Sequence, residues 1–224
     1  WLFENKFNEN HLLAIGINSK EDENKNIKFF NTLSIFDHNL NIINSYKKIN
    51  LVPFGEFLPF EKLLKSIGLK TITNNYQSYS KGEERKIIDL KNNNYSLKIL
   101  PLICYEIIYS GKIFENNRFD YIINISEDGW FGKSIGPEQH FTHSVFRSIE
   151  EGKNVIRSTN NGISAFISPK GQIIGKINYQ GYIDINKFKS VDKTYFAKNG
   201  NKIFFYFILF YTTLILILKI RENR

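Results

Sequence analysis

The chain has 224 residues, a formal net charge of +8, one cysteine and no methionine. That length suffices for one domain with its own core, and a single thiol excludes an intrachain disulfide. The lysines lie among asparagines, in runs such as KEDENKNIK, rather than in a basic stripe, so the charge reads as solvated loops and not as a nucleic-acid face.

In chain order, HLLAIGIN (residues 11–18) and FFNTLSIFD (29–37) are expected to be short strands joined by a charged loop. NIINSYKKI (41–49) is expected to form a third strand, entered through the Asp37-His38-Asn39 turn. LVPFGEFLPF (51–60) carries two prolines and a glycine and reads as a structured loop. EKLLKSIG (61–68) reads as a short helix stopped by Gly68. Residues 70–94 are polar and expected to be weakly structured. YSLKILPLICYE (95–106) is an apolar strand, and IIYSGKIFENN (107–117) reads as turn and helix. FDYIINIS (119–126) is a second buried strand. PEQHFTHSVFRSIEEG (137–152) is expected to be helical, with Phe141, Val145 and Ile149 on one face and Gly152 as its stop. NVIRSTN, ISAFISP, QIIGKI and GYIDI then read as a ladder of short strands. Strands alternating with helices, followed by hairpins, indicate an α/β layered domain.

The C-terminus differs in kind. IFFYFILFYTTLILILKI (203–220) shows no polar face. As a helix its roughly 18 residues reach about 27 Å, close to one bilayer core, so a transmembrane helix is expected there. The basic tail 221–224 suits a cytoplasmic end. With no methionine and no signal peptide visible in WLFENKFNEN, the chain is expected to be a fragment or a processed product.

Cys104 sits where a strand gives way to a helix. A nucleophile placed there stands on a sharp turn, near helix N-terminal amides that lower a thiol pKa and bind a developing oxyanion. Taken alone, such a cysteine is more often a small buried hydrophobe than a nucleophile. Two other loops shift the balance. One carries Lys48 and Glu56 around a rigid Pro-Phe-Gly turn. The other, NISEDGWFGKSIGPEQH, follows a buried strand and holds Trp130. A cysteine, a lysine and carboxylates on loops at strand ends suit thiol acyl transfer. His140 and His143 lie three apart, but no third ligand accompanies them, so no metal is expected. His140 is expected to cap or orient its helix.

YKKINLVPFGEFLPF, ICYEI, WFGKSIGPEQH and RSTNNGISAFISPKGQI, in this order, resemble the nitrilase-like (carbon-nitrogen hydrolase) domain of the bacterial apolipoprotein N-acyltransferase family. The resemblance implies a nitrilase-like α-β-β-α sandwich over residues 1–200, a transmembrane helix at 203–220 and a location in the inner membrane with the catalytic domain on the periplasmic side. It implies transfer of an acyl chain from a phospholipid donor to the α-amine of a diacylglyceryl-modified lipoprotein, with no cofactor. On matched motifs it makes Cys104 the nucleophile, Lys48 the catalytic lysine, and Glu56 and Glu106 supporting acids, with Glu106 holding the lysine. Tyr105 contributes an oxyanion amide and Trp130 lines the mouth. FLPF and WFG are candidates for an apolar mouth. Glu127 departs from the family's Asn-Asp pattern. The family's general-base glutamate belongs in a Trp-Pro-Glu-type stretch upstream of the segment matching AIGIN, which this sequence does not contain. A membrane-tethered amidase or nitrilase, and a catalytically dead binding domain, are the alternatives.

Overall fold

The computed structural model describes residues 7–222 apart from 24–25, 61–65, 67, 69–77, 93–94, 112, 114–118, 179 and 186–190. The expected helix at 61–68 therefore lies outside the described residues except for Ser66 and Gly68, and of the turn and helix expected at 107–117, residues 112 and 114–117 do as well.

Three antiparallel strands, β1 (Leu13–Glu23), β2 (Asn26–Phe36) and β3 (Ile42–Lys47), form the smaller sheet. The first two are longer than the sequence suggested. Their pairing runs from Leu13 opposite Phe36 to Glu23 opposite Asn26, so the charged stretch read as a loop is the far half of a hairpin. Cross-strand polar pairs allow this. Ser19 and Thr32 hydroxyls meet at 2.7 Å, and the Lys47 ammonium reaches Glu21 at 2.5 Å. Between β2 and β3 the Asp37 carboxylate accepts from the backbone N–H groups of Asn39 and Asn41, closing the expected turn.

The larger sheet runs in chain order through β4 (Ile88–Asn92), β5 (Tyr95–Ile103), β6 (Tyr121–Glu127), β7 (Asn154–Asn160), β8 (Ile163–Ile167) and β9 (Ile173–Asn178). Strands β5, β6 and β7 are parallel, with antiparallel hairpins on either side. Strand β4 corrects the weak-structure reading of 70–94: Ile88 and Leu90 are buried against the smaller sheet, so alternate apolar positions hold it in place. The strand expected at 181–185 does not form. There Ile183 sits over the face of β9 at Gly175, where an added Cβ would lie 2.6 Å from it, instead of pairing along the strand edge.

Helix α1 (Gly136–Glu151) makes the crossover between the parallel strands β6 and β7. It ends at Gly152, whose φ of +65° is left-handed and whose N–H returns to the Ser148 carbonyl. Phe141 is buried and Val145 packs on the core. Ile149 is half exposed, so the apolar face runs out one turn early.

Period-two alternation in β5 explains the layering. Ile99 and Ile103 face Leu33, Ile35 and Tyr46 of the smaller sheet, while Leu100 and Leu102 face the α1 side with Ile122, Val155 and Phe141. The described residues thus stack as sheet, sheet and helix, an α/β sandwich.

Helix α2 (Tyr195–Asn199) is capped by Thr194, which accepts from the Ala197 N–H at 2.9 Å and donates to the Glu150 carbonyl at the end of α1. Gly200 and Asn201 then lead into α3 (Lys202–Glu222), whose 21 residues are exposed along their length. At ~1.5 Å per residue this helix spans about 31 Å, long and apolar enough to cross a membrane. The chain after the Cys104 turn packs on the root of α3: an added Cβ at Gly111 would lie 2.8 Å from Asn201.

Candidate active site

Lys48 follows β3 directly. Its N–H bonds the Asn31 carbonyl at 2.8 Å and its carbonyl accepts from the Gly82 N–H at 2.8 Å, which fixes the backbone where the strand ends. The side chain turns inward and leaves the residue 1% exposed. Its ammonium lies 2.9 and 2.7 Å from the two oxygens of Glu56. The 51–57 loop makes this pairing possible. Phe54 takes a left-handed φ of +63°, and the Glu56 N–H returns to the Val52 carbonyl at 2.8 Å, so the chain curls back on itself. The Val52 N–H and the Asn31 side-chain amide also donate to the Glu56 carboxylate. A buried ion pair holds when its remaining lone pairs are satisfied in this way.

Cys104 follows β5 directly and opens a 3-10 turn, Cys104–Ile108. Its φ of +49° is left-handed, an uncommon and costly conformation for a residue with a Cβ. Glu106, two residues on, is fully buried. One of its oxygens accepts from the Ile103 N–H at 2.9 Å. The other accepts from the Tyr46 hydroxyl at 2.8 Å and from the N–H groups of Ile49 and Asn50 at 3.0 and 3.1 Å, with Arg85 at 3.4 Å. Burial, with the Glu106 carboxylate next to it, pushes the Tyr46 phenol well above its ordinary range, so it stays a donor.

Glu106 meets the backbone next to Lys48 rather than its ammonium. Among the described residues the lysine's ion-pair partner is Glu56. Glu106 instead ties the backbone after Lys48 to the backbone before Cys104, which sets the two strand ends relative to each other.

Cys104, Glu56, Tyr105, Trp130 and His140 line one cavity of about 1230 Å³ at these strand ends. The Lys48 side chain lies behind Glu56. Tyr105 packs edge-on against Tyr109, with ring centroids 5.5 Å apart. Trp130 is 57% exposed, and Phe54, Phe60 and Ile135 are exposed nearby in the chain, so the loops flanking the cavity are apolar.

His140 does not cap α1. It is buried, with Nδ1 2.8 Å from Asp128 and Nε2 3.2 Å from the Cys104 carbonyl. Asp128 also accepts from Ser126 at 2.7 Å and from Arg157 at 2.7 Å. Burial alone would raise the Asp128 carboxyl, but the hydrogen bond to His140, the Arg157 guanidinium and Ser126 together hold it below the usual carboxylate range. Desolvation lowers the deeply buried Arg157, against the pull of Asp128. Glu127 caps the turn at 128–131 by accepting from the Gly129 N–H at 2.8 Å.

Asp128, His140 and Arg157 were given no catalytic role from sequence. The available signal was a histidine on the inner face of the helix that follows a WFG turn, with no sequence neighbour to pair it.

The fold and cavity define an α/β sandwich with a candidate cysteine nucleophile at the ends of its strands. The family model described as carbon-nitrogen hydrolase matches residues 7–182, and the chain belongs to that family. A protein from Rhodopseudomonas palustris named apolipoprotein N-acyltransferase is 37% identical over 174 residues, 76% of this chain and 32% of its own length. The Rickettsia prowazekii protein of the same name is 38% identical over 194 residues, 85% of this chain and 38% of its own. The chain thus spans about a third of the length of these relatives. Among solved structures, a CN-hydrolase superfamily protein from Xanthomonas campestris, with an arsenic adduct in its active site, aligns with a TM-score of 0.50 at 20% identity, over 75% of this chain and 59% of that one. At that identity the likeness supports the fold alone.

Proposed function

We propose that this chain is the catalytic domain of an N-acyltransferase that completes lipoprotein acylation at a bacterial inner membrane, with the domain on the periplasmic side. The observation that carries the proposal is one cavity lined by Cys104 and Glu56, with Lys48 held behind Glu56 and exposed apolar side chains on its flanking loops. The names of the relatives and the apolar helix α3 support it.

The Cys104 thiolate attacks an ester carbonyl of a phospholipid. The carbonyl oxygen takes the negative charge, stabilised by the Tyr105 N–H and, from beyond the cavity wall, by the positive charge of Lys48. The ester C–O bond breaks, and the lysophospholipid leaves with a proton from a general acid. The α-amine of a diacylglyceryl-modified cysteine then attacks the thioester. It loses a proton to a general base, forms the amide and releases Cys104. Glu56 orients Lys48, and Glu106 sets the spacing of the two strand ends. Trp130 and the exposed phenylalanines form an apolar entrance that keeps water from the thioester.

Intact mass of the whole protein after incubation with phospholipid tests this reading. An acyl increment is expected on Cys104, stable in water and discharged by a diacylated lipopeptide, and absent in Cys104→Ser. Discharge by water alone would identify a hydrolase. Normal transfer by Cys104→Ser would remove Cys104 from the chemistry.

A further inference from the structure

His140, Asp128 and Arg157 form a buried polar network that the acyl-transfer chemistry above does not use. The three come from different elements: α1, the turn after β6, and β7. Buried charged groups in such number carry a desolvation cost, and the network is closed by contacts that offset it. Arg157 also reaches Asn124 and the Ile163 carbonyl, and Asn124 in turn donates to the Leu102 carbonyl.

Nε2 of His140 faces the Cys104 carbonyl, and Nδ1 faces both the Asp128 carboxylate, an acceptor, and the Arg157 guanidinium, a donor. A peptide carbonyl can only accept, so Nε2 carries a hydrogen toward Cys104. Nδ1 lies 2.8 Å from Asp128, which Arg157 holds in place from its other oxygen, and this fixes the plane of the ring. The groups around the ring are Asp128, Arg157 at 3.2 Å from Nδ1, the Cys104 backbone and His143 on the same helix. The Cys104 carbonyl held by Nε2 belongs to the one residue of the β5 exit with a left-handed φ. A conformation of that kind persists only when its surroundings over-determine it. Glu106 fixes the N–H before it, and His140 fixes the carbonyl after it.

We infer that His140, oriented by Asp128 and Arg157, is a positioning residue for the nucleophile: its Nε2–H holds the Cys104 carbonyl and with it the left-handed turn that presents the thiol at the cavity. The inference rests on Cys104 being the nucleophile, as proposed above.

Alkylation of Cys104 by iodoacetamide, followed by peptide mass spectrometry in the whole protein in detergent, reads thiol presentation without any lipid. His140→Gln places an amide N–H where Nε2 stood. His140→Asn reaches only toward Asp128. Glutamine is expected to keep alkylation within about threefold of wild type, and asparagine to slow it about tenfold or more and raise the pH at which the thiol becomes reactive. Melting temperatures show which variants are folded. Should the His140 variants not fold, Asp128→Asn keeps the side-chain shape and is expected to slow alkylation to a similar extent as asparagine at 140. Wild-type alkylation rate and pH profile in folded His140→Asn or Asp128→Asn overturn the inference, as does an equal loss in glutamine and asparagine variants. Lost acyl transfer with normal alkylation in wild type counts against the acyl-transfer reading and leaves the positioning role standing.

Discussion

Replacing Glu106 by glutamine removes one charge and one acceptor from a point where five donors converge: Tyr46, Ile49, Asn50, Arg85 and Ile103. A glutamine whose oxygen stays with the first four must turn its NH2 toward the Ile103 N–H, 2.9 Å away in the native arrangement. That leaves a buried donor unpaired, which costs about 1–3 kcal/mol. The bonds from Tyr46, Ile49 and Asn50 persist but lose the charge, and bonds to neutral groups are roughly half as strong. Arg85 adds little, because its contact is 3.4 Å and its side chain is 15% exposed. The sum is about 3–5 kcal/mol, a large share of a typical ~5–15 kcal/mol stability. For a chain of this size it lowers the melting temperature by about 6–20 °C. The functional loss should exceed the stability loss even where the variant stays folded, since the strand ends carrying Lys48 and Cys104 are no longer held in one register. The assay pairs a thermal melt in detergent with acyl transfer measured well below the variant's midpoint. A variant melting within about 2 °C of wild type with normal turnover would show that the five contacts carry no weight.

Lys48→Ala is expected to reduce transfer by about 10²–10³, as for loss of an oxyanion-stabilising group, while Lys47→Ala stays near wild type. Lys47 makes a partly exposed pair with Glu21, of a kind worth about 0–1 kcal/mol, and lies over the Phe30 ring, with neither contact at the cavity, so equal losses in the two variants at matched expression would refute the assignment. Gly162→Ala places a Cβ 2.6 Å from an Asp128 oxygen; the overpacking should cost about 1–3 kcal/mol and slow Cys104 alkylation, readable by melting and mass spectrometry together. Burial raises the Glu151 carboxyl above its ordinary value, so the folded state binds more protons there than the unfolded one, and this contribution to stability is lost as pH rises from the unfolded value through the folded one. Glu151→Gln should therefore be more stable than wild type at neutral pH, with the advantage vanishing in acid; a neutral-pH melt no higher than wild type would contradict it.

The strand-to-turn setting of Cys104 was legible because an apolar run ending in Cys-Tyr-Glu encodes it locally. The Lys48 and Glu56 loop was legible for the same reason: proline, glycine and an eight-residue return path are all sequence features. Which carboxylate meets the lysine was not legible. Glu106 is nearer the thiol in sequence, but the curl at Phe54 delivers Glu56 to the ammonium first. The His140 network was hidden for a stronger reason. Its members lie on three elements, and only the parallel register that sets Glu127 opposite Asn160 brings the ends of β6 and β7 together under α1. The hairpin through Glu23 and Asn26 was missed because charge was read as loop, where cross-strand pairing outweighs polarity.

Only Gly200 and Asn201 separate α2 from the long apolar helix, and α2 is itself tied to α1 through Thr194 and the Glu150 carbonyl. With α3 in its proposed place across a bilayer, a domain mounted so closely on it does not wander on a tether. Its height above the lipid and its tilt are set by the first turns of that helix, and encounters with anything in the same leaflet become a search over a plane instead of a volume. Lengthening that junction by a few flexible residues would keep the search in the plane but release the domain's height and tilt.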